Sequence, residues 1–433
     1  MADAPPKQDA ERAKSRRIGA LAELWPFIAP YRGLLAAALV MLVATAVVSL
    51  ILPLAVRRVV DNFGVEDGRI LDQYFAGALG IAGLFALGSA LRYMLVTRLG
   101  ERVVADIRKA VFDRVIGMSP AFYEKLMTGE VLSRITTDTT LILSVIGSSV
   151  SIALRNTLIF VGGLALMLAT SPKLTGMVLL IVPAVVFPIL VLGRRLRALS
   201  RENQDWIAAS SGSASEALSS VQTVQAFTQE KQTRGQFSDV TEKSFDAARR
   251  RIETRALMTA IVIFLVFTGI VGGLWMGAPD VRAGGMTPGE LVQFVIYSVM
   301  VAGSVGALSE IWGELQRAAG ATERLVELLR ATDAVRDPES PLPVPAPVRG
   351  EIAFEGVRFA YPARPGAPAL DGVDLRIAPG ETVALVGPSG AGKTTIIQLL
   401  LRFYDPAEGR IRLDGADIAA MRRRDFRAAL ALV

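Results

Sequence analysis

One stretch of the sequence combines residue types and spacing that bind phosphate. Residues 387–394 read GPSGAGKT and match the phosphate-loop pattern G-x-x-x-x-G-K-[ST] at every fixed position. Its glycines let the backbone wrap closely round phosphate oxygens, because each lacks a Cβ atom. The amide N–H groups that follow lie where a helix begins, and the helix dipole favours negative charge there. The pattern therefore predicts a nucleotide site, and the alternative is a Gly-rich turn that matches by chance.

The same stretch predicts how a nucleotide and its metal ion are held. Lys393 is expected to reach the β- and γ-phosphates, and the Thr394 hydroxyl is expected to hold Mg²⁺. The predicted binding residues are Gly387, Pro388, Ser389, Gly390, Ala391, Gly392, Lys393, Thr394 and Thr395.

Short apolar runs on both sides are expected to position this loop. Glu381–Val386 (ETVALV) predicts a buried strand, and Ile396–Leu401 (IIQLLL), with its flanks, predicts a helix. Strand, turn and helix in this order form the setting that the motif needs. Glu351–Tyr361 alternates as a strand does, and Gly372–Ile377 predicts a further one. A soluble domain is therefore predicted to begin near Gly350.

Composition points to a membrane protein with charged soluble parts. Of 433 residues, 52% are hydrophobic and 20% are charged, and this length predicts two or three domains. The absence of cysteine excludes disulfides and thiolate catalysis, and the absence of histidine excludes the usual proton shuttle. The net charge of +6 would suit nucleic acid, but the basic residues lie where a membrane surface is expected. No nucleic-acid partner is predicted.

Six apolar stretches have the length of about 20 residues that crosses a bilayer. A large soluble protein with buried helices would not predict six such runs within its first 312 residues. The stretches are Leu34–Val56, Tyr74–Val96, Leu143–Ala169, Leu174–Leu192, Leu257–Met276 and Leu291–Trp312.

Loop charge predicts the orientation of these stretches. Lys and Arg concentrate in the N-terminal segment and in the second-to-third and fourth-to-fifth connections. Both termini and both long connections are therefore predicted to be cytoplasmic. The basic residues of the other side are Arg57, Arg58, Arg69, Lys173 and Arg282.

The long connections, residues 97–142 and 193–256, are predicted to continue the spans as cytoplasmic helices, because apolar residues recur at threes and fours. Turn-like stretches lie at Met118–Tyr123, where Pro120 is a natural breaker, and at roughly Ser210–Ala217. The helices could simply bundle, or their tips could dock on a cytoplasmic domain. Pro338–Pro347 (PESPLPVPAP) predicts a stiff, extended linker.

We therefore predict an all-α membrane region with six transmembrane helices and long cytoplasmic extensions, followed by an incomplete α/β phosphate-loop domain. The predicted parts are a cytoplasmic segment (residues 1–32), a transmembrane domain (33–335), a Pro-rich linker (336–349) and the N-terminal part of a nucleotide-binding domain (350–433).

This arrangement resembles the half-size ATP-binding cassette exporters, and more narrowly their B-type multidrug and lipid-flippase branch. The stretches that carry the resemblance cover nearly the whole chain. They are Ser119–Asp138, Glu216–Glu230, Val357–Pro362, Leu370–Val373, GPSGAGKTT and Arg402–Asp414.

The resemblance implies ATP and Mg²⁺ as cofactors and gives roles to further residues. Tyr361 is similar to the aromatic residue that stacks on adenine, although an ordinary core tyrosine is the alternative. Met118–Tyr123 and Ser213–Ser220 resemble the two coupling helices that pass motion to the spans. Two chains are expected to pair as a homodimer, because in this family each ATP lies between one chain's phosphate loop and the other's signature motif.

The sequence departs from that family at its end. It stops at Val433, in what resembles the strand leading to the glutamine loop, without a signature motif, a Walker B carboxylate pair or a switch histidine. We interpret the chain as a fragment or a truncated half-transporter. No catalytic residue is identified, and the chain alone is not expected to hydrolyse ATP.

The predicted function is ATP-driven movement of amphiphilic or lipid-like substrates out of the cytoplasmic side. The alternatives are a truncated chain that binds ATP but is inactive, and a membrane nucleotide sensor that transports nothing. Arg155, a charge inside the third stretch, is a candidate for substrate binding, although snorkelling or helix pairing would also explain it. The Ala- and Arg-rich composition and short N-terminal tail predict a bacterial inner membrane.

Overall fold

The computed structural model describes residues 18–63 and 68–432. Helices dominate its first 330 residues, and two short helices lie at the ends of longer ones. Residues 1–17 of the predicted N-terminal segment lie outside the described residues. The α-helices of six or more residues in this part are α1 (Arg32–Asp61), α2 (Gly68–Ile116), α3 (Pro120–Lys125), α4 (Thr128–Thr170, which contains two π-helical turns), α5 (Pro172–Ser219), α6 (Val221–Ala226), α7 (Glu230–Arg282) and α8 (Pro288–Arg330), and a shorter one, Trp25–Ile28, precedes α1.

Five helical segments in the described part are long and apolar enough to cross a membrane. They contain five of the predicted stretches, and the fourth, Leu174–Leu192, lies inside α5, where the side chains of residues 181–186 fall outside the description. The segments are 43 to 53 residues long. Since about 20 residues span a bilayer, each also extends well beyond it. The predicted membrane-helical class is confirmed.

The chain folds into two compact units. The unit of residues 40–91 and 153–308 contains a long hairpin in which α5 and α7 run antiparallel. Asn203 donates to the Ser244 carbonyl at 3.3 Å, and Arg250 pairs with Glu202 at 2.6 Å. Lys243 lies 5.3 Å from the centroid of the Trp206 ring. We call this paired region the α5–α7 hairpin.

The other unit comprises the described residues among 1–39, 92–152 and 309–433. In it, a π-helical turn within α4 places two charges against the end of α8. Asp138 accepts two hydrogen bonds from Arg324, at 2.8 and 2.5 Å, and Arg134 pairs with Glu327 at 2.7 Å. These pairs fix the end of α8, from which the chain continues into the Pro-rich linker.

A small antiparallel sheet follows in the same unit. Its strand order is β2-β1-β3-β4, and its helices are α9 (Lys393–Leu400) and α10 (Arg423–Ala428). Phe354 on the central strand faces Leu375 on one neighbour and Ile411 on the other. Leu399 and Phe426 join Phe354 and Ile411 in one buried core. The strands are β1 (Ile352–Phe359), β2 (Leu370–Ile377), β3 (Glu408–Leu413) and β4 (Ala416–Asp417).

The strand predicted before the phosphate loop is not formed. Glu381–Val386 pairs with no strand in the part of the chain that the structure describes, and Val386 is 86% exposed. An apolar run becomes a buried strand only when neighbouring strands take up its backbone hydrogen bonds. Here β1 to β4 bond one another, and neither edge strand of that sheet, β2 or β4, pairs with this run.

The second tip also differs from its prediction. Ser210–Ala217 and most of Ser213–Ser220 continue α5, and the short helix at this end is α6, several residues later. The segment holds alanine, glutamate and leucine, which favour helix, and no proline interrupts it. The chain bends instead at Ser220 and again at Thr228, whose φ is +52°.

Candidate nucleotide site

The phosphate loop forms a tight turn that depends on glycine. Gly390 and Gly392 have φ of +87° and +83°, in the left-handed region that other residues rarely adopt. A Cβ atom on Gly392 would also lie 2.6 Å from Leu370 Cδ2 and 2.8 Å from the Ala369 carbonyl oxygen. Helix α9 begins at the next residue, so the loop leads directly into a helix N-terminus, as the motif requires.

Lys393 folds back over the loop. Its Nζ donates to the carbonyl oxygens of Gly387 and Pro388, at 2.8 and 2.7 Å. Phosphate oxygens would compete well for this ammonium, because hydrogen bonds between charged groups are stronger than those to a neutral carbonyl. Thr394 is exposed beside it, as are Ser389 and Ala391. The loop therefore presents its predicted ligands on an open surface.

Thr395 differs from the other loop residues because it is buried. Tyr361 donates to Gln398 Oε1 at 2.6 Å and lies 3.0 Å from Thr395 Oγ1. Since a phenol has one proton, the Thr395 hydroxyl is the donor to Tyr361. Thr395 and Gln398 thus attach α9 to the segment after β1, and Thr395 faces away from the open side of the loop.

Tyr361 belongs to an aromatic group of three rings. Its ring meets Phe359 edge-on, with centroids 5.1 Å apart, and Tyr404 edge-on at 5.5 Å. The side chain is half-buried. These contacts fix the ring beside α9, and its role against adenine stays a prediction, as do the roles of the loop residues.

The first tip, α3, is built into the core of this domain. Ala121 is 4% exposed and belongs to the hydrophobic cluster that contains Phe354 and Leu399. The Tyr404 hydroxyl donates to Glu124 Oε1. Burial, and then this hydrogen bond to a carboxylate, raises the pKa of Tyr404 well above its usual value. The tip therefore shares an apolar core with Leu399 of α9, the helix that starts at the phosphate loop, and a hydrogen bond with Tyr404, four residues after that helix.

Asp333 connects the same tip to α10. Its carboxylate accepts from the Ser119 amide at 3.1 Å and the Val335 amide at 3.4 Å, and it pairs with Arg423 at 2.7 Å. Burial opposes the charged form, but the hydrogen bonds from Ser119 and Arg423 hold the pKa of Asp333 below its usual value. Sequence reasoning missed this residue, because no local pattern links positions so far apart.

Arg402 lies just after α9 and is only 3% exposed. Its φ is +51°, which is uncommon for a residue with a side chain. The guanidinium pairs with Asp405 at 2.9 Å and donates to the carbonyl oxygens of Ile418, Met421 and Arg336. It therefore ties the start of the linker to the sheet domain. The sequence included Arg402 in a matching stretch but gave it no role.

Arg155 lies in α4, far along the chain from the phosphate loop. The side chain is half-buried, and its Nε is buried without a hydrogen-bond partner among the described residues. A charged group in this state is costly unless something pairs with it. Its role in substrate binding stays a prediction.

Two family models match the chain. The model for the ABC transporter transmembrane region matches residues 35–305, and the model for the ABC transporter matches residues 370–433. The first ends before the linker, and the second contains the phosphate loop. Both agree with the family that the sequence motifs predicted.

Relatives with known names are similar over most of the chain. The ATP-dependent permease MDL1, mitochondrial, of Schizosaccharomyces pombe is 35% identical over 359 residues, which is 82% of this chain and 49% of the relative. The mitochondrial potassium channel ATP-binding subunit of Mus musculus is 32% identical over 429 residues, covering 97% and 59%. The mitochondrial ATP-binding cassette sub-family B member 10 of Mus musculus is 31% identical over 410 residues, covering 92% and 56%.

These comparisons correct one prediction and set one limit. The predicted bacterial inner membrane is wrong, because these relatives are mitochondrial proteins. The prediction rested on amino-acid composition, and composition does not show in which membrane a protein resides. The chain spans about half the length of the curated relatives that it matches.

Proposed function

Because the chain belongs to the ATP-binding cassette transporter family, we propose that it supplies one half of an ATP-driven exporter or flippase. The observation that carries this proposal is the contact between α3 and the nucleotide domain. Ala121 of the tip lies in the same core as Leu399 of α9, the helix that begins at the phosphate loop. A nucleotide sensor without transport has no need for this connection to the membrane helices.

Nucleotide binding follows from the family, and we assign its details to the loop. Lys393 would move from the loop carbonyls to the β- and γ-phosphates, and the exposed Thr394 hydroxyl would hold Mg²⁺. Among the described residues there is no group of three or more His, Cys, Asp or Glu side chains that could hold a metal ion. The ion would therefore depend on Thr394 and on phosphate oxygens.

The test compares Lys393→Ala with the wild-type chain in binding a fluorescent ATP analogue, with and without Mg²⁺. We expect Lys393→Ala to weaken binding by at least about tenfold, because a charge-assisted hydrogen bond is lost. Lys231→Ala, an exposed position on the α5–α7 hairpin, is the matched control and should bind as wild type does. Equal affinity of all three proteins for the ATP analogue would contradict the assignment of the nucleotide site to this loop.

Hydrolysis and transport are proposed for a protein as long as the relatives, which we call the complete product, because the chain spans about half their length. No residue up to Val433 is identified as positioning the attacking water. We therefore expect purified 1–433 to bind ATP with little turnover, measured by phosphate release. Substantial turnover would show that this chain holds a water-positioning residue that we have not identified. ATP-dependent export from reconstituted vesicles of the complete product then tests the exporter itself.

A second copy of the chain is the proposed partner. The second tip exposes Leu218, Val221 and Phe227, and Phe227 is 70% exposed. An apolar tip in contact with water favours a partner that covers it. Light scattering of the purified protein with nucleotide should show the mass of a dimer.

Arg155 is proposed to bind the charged end of an amphiphilic cargo. Its buried, unpaired Nε supports an anionic group such as a lipid head group. Arg155→Ala in the complete product should reduce transport of acidic lipids more than of neutral ones. Equal transport of both by this variant would remove the assignment.

The named relatives support the mitochondrial inner membrane as the location, with the long helical extensions on the matrix side. Immunogold labelling of source cells should place the protein there, and protease protection of isolated mitochondria should shield the phosphate loop. Labelling at the cell surface would contradict this location.

A further inference from the structure

We propose that the α5–α7 hairpin binds the head group of an anionic phospholipid where it meets the inner face of the membrane. This site uses none of the residues that we assign to ATP binding or to cargo binding. Six arginines form it, and we call them the arginine belt. They are Arg194, Arg195, Arg197 and Arg201 on α5, and Arg251 and Arg255 on α7.

The belt lies at the membrane boundary of both helices. The fourth apolar stretch ends at Leu192, just before the α5 arginines, and the fifth begins at Leu257, just after the α7 arginines. Because α5 and α7 are antiparallel and pair through Arg250 and Glu202, both groups lie at the same level of the hairpin. All six charges are therefore within reach of one bilayer surface.

These arginines are not neutralised by the protein. In the described part of the chain, none of the six forms an ion pair or a side-chain hydrogen bond, and five of them are exposed while Arg251 is half-buried. Their neighbours behave differently: Arg250 pairs with Glu202 at 2.6 Å, and Arg249 pairs with Glu253 at 3.5 Å. The hairpin thus neutralises adjacent arginines and leaves the belt available.

The α5 side chains lean towards the membrane. Side chains on a helix tilt towards its N-terminus, and the N-terminal part of α5 is its membrane-spanning part. A guanidinium nitrogen of Arg197 lies 3.9 Å from where a Cβ of Gly193 would be, one turn nearer the membrane. The guanidinium of Arg197 is therefore directed towards the predicted depth of the lipid phosphates.

Exposed apolar side chains adjoin the belt on its membrane side. Leu190 and Val191 on α5 and Leu257 on α7 are all exposed. A guanidinium binds phosphate with two parallel hydrogen bonds, and the apolar residues would contact the acyl chains of the same molecule. A lipid satisfies both requirements, whereas a soluble phosphate or a nucleic acid would use the arginines alone.

The test measures lipid binding to the purified chain in neutral detergent without nucleotide. The double variant R194Q/R197Q is titrated with fluorescently labelled phosphatidylglycerol and, separately, with labelled phosphatidylcholine. We expect its affinity for phosphatidylglycerol to fall roughly 25-fold, about fivefold per arginine, with little change for phosphatidylcholine. Added salt should weaken the wild-type interaction, because exposed charges are screened.

The matched control is K231Q/R234Q, which removes the same charge from exposed positions on α7, far from the membrane boundary. It should bind phosphatidylglycerol within about twofold of wild type. R194K/R197K keeps the charge but loses the paired hydrogen bonds of the guanidinium, so its affinity should lie between that of wild type and that of R194Q/R197Q. Size-exclusion chromatography and circular dichroism establish that each variant is folded.

Three results would overturn the proposal. Equal loss in R194Q/R197Q and K231Q/R234Q would show a general charge effect. Equal wild-type affinity for the two lipids would show no preference for anionic head groups. Soluble glycerophosphate that competes as strongly as the lipid would show a site for free phosphate. Since the assay contains no nucleotide, none of these results bears on the proposed transporter function.

Discussion

The two tips of the long helices are alike in form and opposite in environment. Each is a six-residue helix between two much longer ones. The first tip, α3, is packed into a hydrophobic core through Ala121 and hydrogen-bonded through Glu124. The second tip, α6, has no buried residue and is flanked by the exposed Leu218 and Phe227.

This contrast shows that a tip needs a receiving surface as well as a helical turn. The first tip presents a small residue, Ala121, where the sheet domain approaches closely, and two aromatic neighbours, Phe122 and Tyr123, that are half-buried. The second tip instead leaves the apolar side chains of Leu218, Val221 and Phe227 exposed. The first contact is completed within the chain, and we propose that a second copy completes the other.

The largest effect is expected from placing a charge in each tip. Ala121→Asp would bury an unpaired carboxylate in the core of the sheet domain and should destabilise that domain by about 3 kcal/mol or more. Ala226→Asp introduces the same change at an exposed position of the second tip and should alter stability by less than about 0.5 kcal/mol. Pulse proteolysis of the purified chain measures both, and similar losses would remove the contrast between the tips.

A smaller effect is expected from Asp333→Asn, which removes the carboxylate that pairs with Arg423 and accepts from the Ser119 amide. The contact between the first tip and α10 should weaken by roughly 2 kcal/mol. Hydrogen exchange of the Ser119 amide measures this opening. Asp239→Asn, at an exposed position of the α5–α7 hairpin, is the control and should leave that exchange unchanged.

The Asp333 effect should also depend on pH. The folded-state pKa of Asp333 is lowered, so its stabilisation is present above the unfolded value near about 4 and is lost as pH falls through the folded value. The opening free energy measured at the Ser119 amide should therefore differ between wild type and Asp333→Asn at neutral pH, and the two values should converge as the pH falls. A difference in this opening free energy that does not shrink as the pH falls would show that the carboxylate charge is not what stabilises this contact.

The smallest effect on the isolated chain is expected from Phe227→Ala in the second tip. An exposed side chain contributes little to folding, so stability should change by less than about 0.5 kcal/mol. Dimer formation should weaken, by about tenfold if the ring is buried between copies. Phe245→Ala, also exposed but away from the tip, is the matched variant, and an equal effect of both on association would contradict a specific role for the tip.

The position of the first tip could be predicted from the sequence, because local residue types determine it. Pro120 is the first residue of α3 and follows Ser119 in an extended conformation, so the sequence located the first tip within two residues. Gly390 and Gly392 likewise fixed the phosphate loop, because the turn needs a backbone that few other residues adopt. The second tip had no such marker, and its bend at Ser220 lies after Ser210–Ala217 and at the last residue of Ser213–Ser220.

Features that depend on residues far apart in the chain could not be predicted from the sequence. Glu381–Val386 has the composition of a buried strand, but no pattern within it reports whether neighbouring strands exist. Asp333 and Arg423, or Arg402 and the Arg336 carbonyl, meet only after the chain has folded. The predicted bacterial inner membrane was also wrong. It was inferred from residue usage, which does not indicate the membrane in which the mitochondrial relatives reside.

Helix α9 is secured at both ends. Its N-terminus lies inside the phosphate loop. Just after its C-terminus, Arg402 donates a hydrogen bond to the Arg336 carbonyl at the start of the linker. A rod of eight residues is only about 12 Å long and bends little. If nucleotide binding tilted the N-terminus of α9, the C-terminal end would move with it and displace Arg402 and the start of the linker. Motion could then reach the linker without passing through α3.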